Sequence, residues 1–405
     1  MRRKKNKKVR LNYKKLFKCI FFLALFIFFI FKLTSVLLAP ENNDSIENKP
    51  VMTAPDPITI HMSAVGDIMC HLTNIKNAYN STSKDYNFSN VFENIAKYTK
   101  NADITVGNLE TTFAGASRGY TGYPTFNTPE DLGKNLKDIG FDVLCTANNH
   151  SMDKGYSGIE STLNFLDEYG LEHYGTARST EEQDTILVKD VNGIKIAFLA
   201  YTYGTNGITI PSGKEYSVNL IDKDLIKKHI SLAKEKEVDV ICVSMHWGTE
   251  YKLTPTSTQE DLADFLFENG VDIILGSHPH VLEPMEKRTI TLEDGTTKDG
   301  FVIYSLGNFV SGQIYANTKS TVILDIQITK NSEGKISIDS VNYTPVYLYD
   351  KGSTSKSRTR YTLIDVEKAI TDYENGTDTT ISKSLYNTLK TELTSIRKHV
   401  GEEIN

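Results

Sequence analysis

Cysteine is scarce in this chain of 405 residues: there are four, and no Cys-x-x-Cys pair. Cys19 falls in an apolar run, so Cys70, Cys145 and Cys242 remain, an odd number that gives no disulfide framework. Cys145 and Cys242 stand inside apolar segments and read as small buried residues. Acidic side chains are absent from the first 18 positions, which hold ten Lys and Arg. Setting those ten against totals of 45 basic and 51 acidic residues leaves positions 19–405 at −16, inside an overall −6. That deficit of positive charge excludes a nucleic-acid-binding face on the bulk of the chain. With 39% hydrophobic and 24% charged residues, the composition also excludes a disordered chain and a many-span membrane protein.

One long apolar run is present. Positions 19–39, broken only by Lys32, would span ~31 Å as a helix, enough to cross a bilayer. Lys32 lies past the middle and can snorkel to the nearer interface. The basic tail 1–18 is expected to stay cytoplasmic, which places the acidic remainder outside the cell as a single-pass membrane protein. Cleavage as a signal peptide is the alternative, but Leu37 occupies a position where a small side chain is wanted before Ala39. Residues 40–57 carry four prolines and little apolar content, an extended linker. The main domain is set at 58–350, with a charged, helical extension over 351–405. Leu385, Leu389 and Leu393 give that extension an apolar stripe, so it is either a packed closing helix or an outer arm.

From Ile58 onward helical and strand patterns alternate, which predicts an α/β fold with mixed sheets. Thr128-Pro129 opens one helix and Gly140 stops it. Ser157…Glu160 and Ser257…Glu260 have the form of capping boxes. Asn192-Gly193 is a hairpin turn between 185–191 and 194–201. Four times a helix is followed by Asp, an apolar run and a polar cluster. Asp103 leads to Asn108 and Glu110, Asp142 to Asn149 and His150, Asp239 to His246, and Asp272 to His278 and His280. The offsets are seven, seven, seven and six residues. Short strands would thus deliver polar side chains at their carboxyl ends, where open α/β sheets build their sites. A fifth strand, from Ile58, ends at Gly66-Asp67, and a run from Phe301 to Leu306 ends at Gly307-Asn308.

The strand ends together offer Asp67, His71, Asn108, Glu110, Asn149, His150, Asp153, His246, His278, His280 and Asn308. Carboxylates, imidazoles and amides of this kind suit a divalent ion of borderline hardness, Mn, Fe or Zn. A bridging carboxylate can hold two such ions. Five of the nine histidines fall in these motifs. His278-Pro279-His280, read as extended, sends both rings the same way. Cys70 beside His71 reads as a small loop residue rather than a thiolate ligand. Trp247 is either a substrate wall or packing. Glu250 and Tyr251 either orient His246 or lie exposed, and Asp153 either holds His150 or caps a turn.

Gly66-Asp67-Ile68-Met69, Gly107-Asn108-Leu109-Glu110, Ala147-Asn148-Asn149-His150, His246-Trp247-Gly248, Gly276-Ser277-His278-Pro279-His280-Val281 and Ser305-Leu306-Gly307-Asn308-Phe309 follow one another over about 62–315. In that order they closely resemble the capsule-synthesis CapA family, whose domain is related to calcineurin-like metallophosphoesterases. The resemblance implies a layered α/β sandwich and a role in making or exporting poly-γ-glutamate. It implies that Asp67 is the first metal carboxylate and that Glu110 takes the bridging place. Asn149, His246, His278 and His280 become the remaining ligands, and His150 assists the leaving group. Met69 stands where a phosphoesterase has His, and Asn108 and Glu110 replace an Asp-based motif. One ion, or two with altered ligands, is therefore expected. Glu283 stands where the family often has Gln.

Two functions follow, besides a structural subunit whose metal only stiffens the fold. The first is an anchored component of capsule polymer synthesis or export, working with other membrane proteins on an anionic polymer or a phosphorylated intermediate. The second is an independent extracellular metal-dependent phosphoesterase. In that case His150 is the general acid, Asp153 its partner and activated water the nucleophile.

Overall fold

The computed structural model describes residues 21–28, 30, 56–291, 295–353 and 358–404. The chain divides into two compact units, Met1–Ala54 and Pro55–Asn405. In the first, residues 21–28 and 30 are helical with exposed side chains. Among the described residues no helix is long and apolar enough to cross a membrane. Most of the expected span 19–39, the basic tail 1–18 and nearly all of the linker lie outside the described residues.

The second unit holds two large mixed sheets and a small ribbon, β2 (Tyr79–Asn80) with β3 (Asp85–Tyr86). The first sheet runs β16 (Tyr361–Asp365), β15 (Ile336–Asp350), β14 (Ser320–Lys330), β1 (Ile58–Ile68), β4 (Ile104–Leu109), β5 (Val143–Cys145) and β6 (Glu172–Tyr174). β13 (Asn308–Val310) pairs with the end of β1. The second runs β11 (Met285–Thr291), β12 (Thr297–Ile303), β10 (Ile273–Ser277), β9 (Val240–His246), β8 (Ile194–Thr202) and β7 (Leu187–Val191). In each sheet four neighbours are parallel, β1-β4-β5-β6 and β12-β10-β9-β8, so their carboxyl ends emerge on one edge.

Apolar alternation dictates the layers. Ile60, Met62, Ala64, Val106 and Val143 of the first sheet share one core with Ile196, Phe198, Cys242, Ile273 and Leu275 of the second. Opposite faces are covered by helices. Leu132, Leu136, Leu163 and Leu166 close the first sheet, and Ile226, Ile230, Leu262 and Leu266 the second. The result is a helix–sheet–sheet–helix sandwich. The C-terminal helices Val366–Asn375 and Lys383–Val400 bury Leu385, Leu389 and Ile396 in the shared core, so this segment is a packed closing element.

The recurring Asp has a structural cause. Asp103, Asp142, Asp239 and Asp272 each accept a backbone N–H of the neighbouring parallel strand, from His61, Thr105, Lys195 and Ile241, at 2.8–2.9 Å. Each also donates its own N–H back to that strand. These reciprocal bonds lock strand against strand at the amino edge. Register is then fixed for the residues that arrive at the carboxyl edge.

Three helix starts differ from the sequence reading, the first being the helix expected to open at Thr128-Pro129, which runs Asp131–Asp138 with Glu130 at its N-cap and no side-chain cap. The helix Tyr156–Tyr169 begins after Gly155, with no side-chain cap. The helix Ser257–Glu268 is capped one residue earlier than expected, by Thr256 with Gln259 at the third position. The Thr256 hydroxyl accepts from the Gln259 N–H, and the Gln259 side chain accepts from the Thr256 N–H. The hairpin is as read: Asn192 and Gly193 both have positive φ, 53° and 97°, as a primed two-residue turn requires. The three described cysteines are buried and free.

His229 gives the fold an acid limb. It is buried, its Nδ1 lies 3.0 Å from the Tyr201 hydroxyl, and burial pushes its pKa down from 6.5 to about 4 against the weaker pull of Asp184. The unfolded chain takes this proton near pH 6.5 and the folded chain near 4, so the stabilisation is complete above 6.5 and lost as pH falls through 4. His229→Phe is expected to flatten the fall in melting temperature between those two pH values. An unchanged slope would refute this assignment.

Candidate metal centre

The site starts from a bulge. In β1, Val65 and Ile68 both pack in the outer core, three residues apart, because the register slips between Val65 and Asp67. The slip returns Asp67 to the inner side, toward the second sheet. Glycine makes it possible: a Cβ on Gly66 would lie 2.0 Å from the Gly307 carbonyl oxygen. The Asp67 N–H donates to that same carbonyl at 2.9 Å. Gly66→Ala is therefore expected to cost about 3 kcal/mol and to displace Asp67, measured as denaturant stability together with metal content. A variant with unchanged stability would contradict the close approach.

Two overlapping groups of ligand-type side chains sit at the facing strand ends. Asp67, Glu110 and His246 form one, and Glu110, His278 and His280 the other, with ligand atoms within 4.8 Å of one another in each. Glu110 belongs to both. All five side chains are buried. Glu110 Oε1 lies 3.6 Å from His246 Nε2 and 3.9 Å from His280 Nε2, yet neither oxygen of this carboxylate has a hydrogen-bond partner. Burial, then Asp67, pushes its pKa well up. A buried carboxylate left without partners is costly unless something of positive charge meets it. The residues therefore fit a divalent-metal site with Glu110 shared by both groups.

The imidazoles are prepared as ligands. Burial, followed by the neighbouring histidines, pushes His246 well down and His278 to about 3, which keeps both neutral. His246 Nδ1 is 2.9 Å from Ser277 Oγ, and its Nε2 is 3.1 Å from Asn149 Oδ1, so Asn149 joins the first group. His280 Nδ1 lies 3.1 Å from Asp67 Oδ2 and 3.0 Å from Asn308 Oδ1. Asn108 donates to Asp67 Oδ1 at 2.8 Å. His278-Pro279-His280 is not extended: His278 and His280 have φ of 97° and 60°. Two left-handed residues turn the segment sharply after β10, and their rings are 5.9 Å apart over the carboxylates. Strain of this sort gathers at functional sites.

His150 stands beside the two groups and belongs to neither. Its Nδ1 donates to Asp153 Oδ2 at 2.8 Å, and that oxygen also accepts the Phe126 N–H at 2.6 Å. The carboxylate thus fixes the ring with Nε2 facing the site. Asn148, which the sequence reading passed over, accepts the His150 N–H and donates to the Leu109 carbonyl, fixing the turn that carries Asn149 and His150.

Other expected residues fall elsewhere. Trp247 is buried on the outer face of the second sheet, where its Nε1 donates to the Tyr304 carbonyl at 2.9 Å, so it is packing and no substrate wall. Glu250 is exposed, and Ser277 rather than Glu250 orients His246. Tyr251 reaches the site as a ring 6.2 Å from His280. His71 accepts the Gly312 N–H and anchors the segment after β13, standing outside both ligand groups. Tyr203 and Asn206 were also missed. Asn149 Nδ2 reaches both the Tyr203 hydroxyl and Asn206 Oδ1 at 3.2 Å, and Asn206 Nδ2 lies 3.5 Å from His150 Nε2. They follow β8, which a hairpin precedes, so no helix-then-Asp signal announces them.

A divalent metal held here would supply Lewis acidity and lower the pKa of water toward neutrality. This chain's own contribution is the His150 imidazole, held in line by Asp153 with Nε2 toward the site, beside the buried carboxylates.

Residues 61–313 match the family model described as bacterial capsule synthesis protein PGA_cap. The chain is 31% identical over 290 residues to the capsule biosynthesis protein CapA of Bacillus anthracis, covering 69% of this chain and 67% of that protein. It is 30% identical over 306 residues to the PGA biosynthesis protein CapA of Bacillus subtilis, covering 73% and 74%. Among solved structures, the NAD nucleotidase NadN of Haemophilus influenzae aligns with a TM-score of 0.44 at 13% identity, over 85% of this chain and 61% of that one. A putative 5′-nucleotidase of Staphylococcus aureus aligns with a TM-score of 0.46 at 14%, over 74% and 56%. On the extent of the family match, this chain belongs to the bacterial capsule synthesis PGA_cap family.

Proposed function

We propose that this protein is a membrane-anchored, outward-facing component of capsule polymer synthesis or export, with poly-γ-glutamate as the polymer. In this reading its strand-end centre binds two divalent ions, Mn, Fe or Zn, and acts hydrolytically on the polymer or on a phosphorylated intermediate. The observation that carries the metal chemistry is the Glu110 carboxylate, shared by two ligand groups and left without hydrogen bonds. Family membership and the basic-then-apolar amino terminus support the setting. Other membrane proteins of the same machinery are its expected partners. The His150–Asp153 pair favours a second reading, a phosphoesterase working independently of capsule, because a purely structural metal site needs no proton donor.

Elemental analysis of the purified protein is expected to find about two equivalents of metal, lost in the His278→Ala, His280→Ala double variant. Deleting the gene is expected to remove the surface polymer, and the double variant is expected not to restore it. Normal polymer in the deletion strain would leave only the independent phosphoesterase. Restoration by the metal-free variant would reduce the centre to a structural role.

A further inference from the structure

The mouth of the centre is lined by tyrosines. Tyr203 is 49% exposed, Tyr251 37% and Tyr315 60%, values high for large rings in a folded domain. They form one continuous surface with the ligands. The Tyr203 ring is 4.6 Å from His278, His278 is 5.9 Å from His280, His280 is 6.2 Å from Tyr251, and Tyr251 is 4.8 Å from Tyr315. Gln313 Nε2 reaches the Tyr251 hydroxyl at 3.5 Å and Asn308 Nδ2 donates to Gln313 Oε1 at 2.9 Å, so the rim is tied to the floor.

Acidic groups stand at the mouth: exposed Glu250 adjoins Tyr251 in the chain, and Asp67 and Glu110 are the buried carboxylates of the floor. An anion entering here is drawn by the ions. Two divalent ions against the two carboxylates, Asp67 and Glu110, leave a surplus of two positive charges on the floor. One phosphate-type dianion neutralises that surplus, and a second anionic group meets the exposed carboxylate of Glu250.

Resting on the function proposed above, we propose that the site takes a single-headed anion. A phosphate group sits at the Glu110 position, joined to a planar, uncharged body that lies across Tyr203, Tyr251 and Tyr315. Offset stacking on such rings is the contact that a planar body offers.

The test is calorimetry on the full-length, Mn-loaded protein with three phosphonates that cannot be hydrolysed. Phenylphosphonate is expected to bind about tenfold more tightly than methylphosphonate, and 4-phosphonobenzoate, with its second negative charge, more weakly than phenylphosphonate. In Tyr203→Leu and in Tyr251→Leu, Tyr315→Leu the phenyl-to-methyl ratio is expected to fall toward one. Equal binding of phenyl and methyl probes, a ratio that survives both variants, or tightest binding of 4-phosphonobenzoate would each overturn this inference alone. Failure of all three probes to bind would overturn the proposed function with it.

Discussion

Glu110→Gln is expected to empty the centre. Both ligand groups pass through this one carboxylate, so the substitution removes the shared ligand and one of two carboxylates that the described residues bring to these groups. Metal affinity should fall by more than about 100-fold, beyond the usual effect of losing a residue that merely orients a ligand. The same change acts in the opposite direction on metal-free protein. There the carboxylate is buried without a partner, and its pKa is pushed well above 4.5. The folded state thus keeps a proton that the unfolded state has released, and stability falls as pH rises from 4.5 through the raised value. Glutamine removes that fall. In chelator, the variant should gain about 1–3 kcal/mol over the parent at the alkaline end, and the gain should shrink toward pH 4.5. With metal added, the order reverses. A variant that keeps two equivalents of metal, or that melts below the parent in chelator throughout, would refute the shared-ligand role.

His150→Ala separates chemistry from binding. This imidazole lies outside both ligand groups, so metal content should stay at the parental level. Hydrolysis of alkyl phosphate esters, whose leaving group needs a proton, is expected to drop about 1,000-fold, the scale of a lost general acid. Asp153→Asn should act through the same ring: an amide in place of the acceptor loosens the 2.8 Å contact that fixes Nδ1–H, so hydrolysis should fall while metal content stays at the parental level. Loss of metal together with activity in His150→Ala would make it a ligand instead. Full activity would remove it from the chemistry.

Much of this arrangement was legible because one physical device repeats. Asp103, Asp142, Asp239 and Asp272 stitch parallel neighbours together at the amino edge, and the polar residues arrive six or seven positions later. A period is visible in a single sequence. Contacts without a period were not. Tyr203 and Asn206 follow a strand entered from a hairpin, where no Asp is needed to begin a crossover. Trp247 stands next to His246 in sequence but on the opposite face of β9, as alternation along a strand requires. Adjacency in sequence therefore misplaced it. The turn at His278 and His280 also escaped, because local sequence suggests extension at proline while the fold demands positive φ on both sides of it. The turn that carries Asn149 depends on Asn148 reaching the Leu109 carbonyl, a partner 39 residues away.

Neither sheet holds a complete set of ligands. Asp67 and Glu110 come from the first sheet, and His246, His278 and His280 from the second, so each three-residue group draws on both. A folding intermediate with only one sheet formed has neither group complete. Capture must follow docking of the two halves, and once it occurs the ion acts as a rivet across their seam. Unfolding of the loaded protein then has to break that seam first, so free metal should slow unfolding and leave the folding rate unchanged.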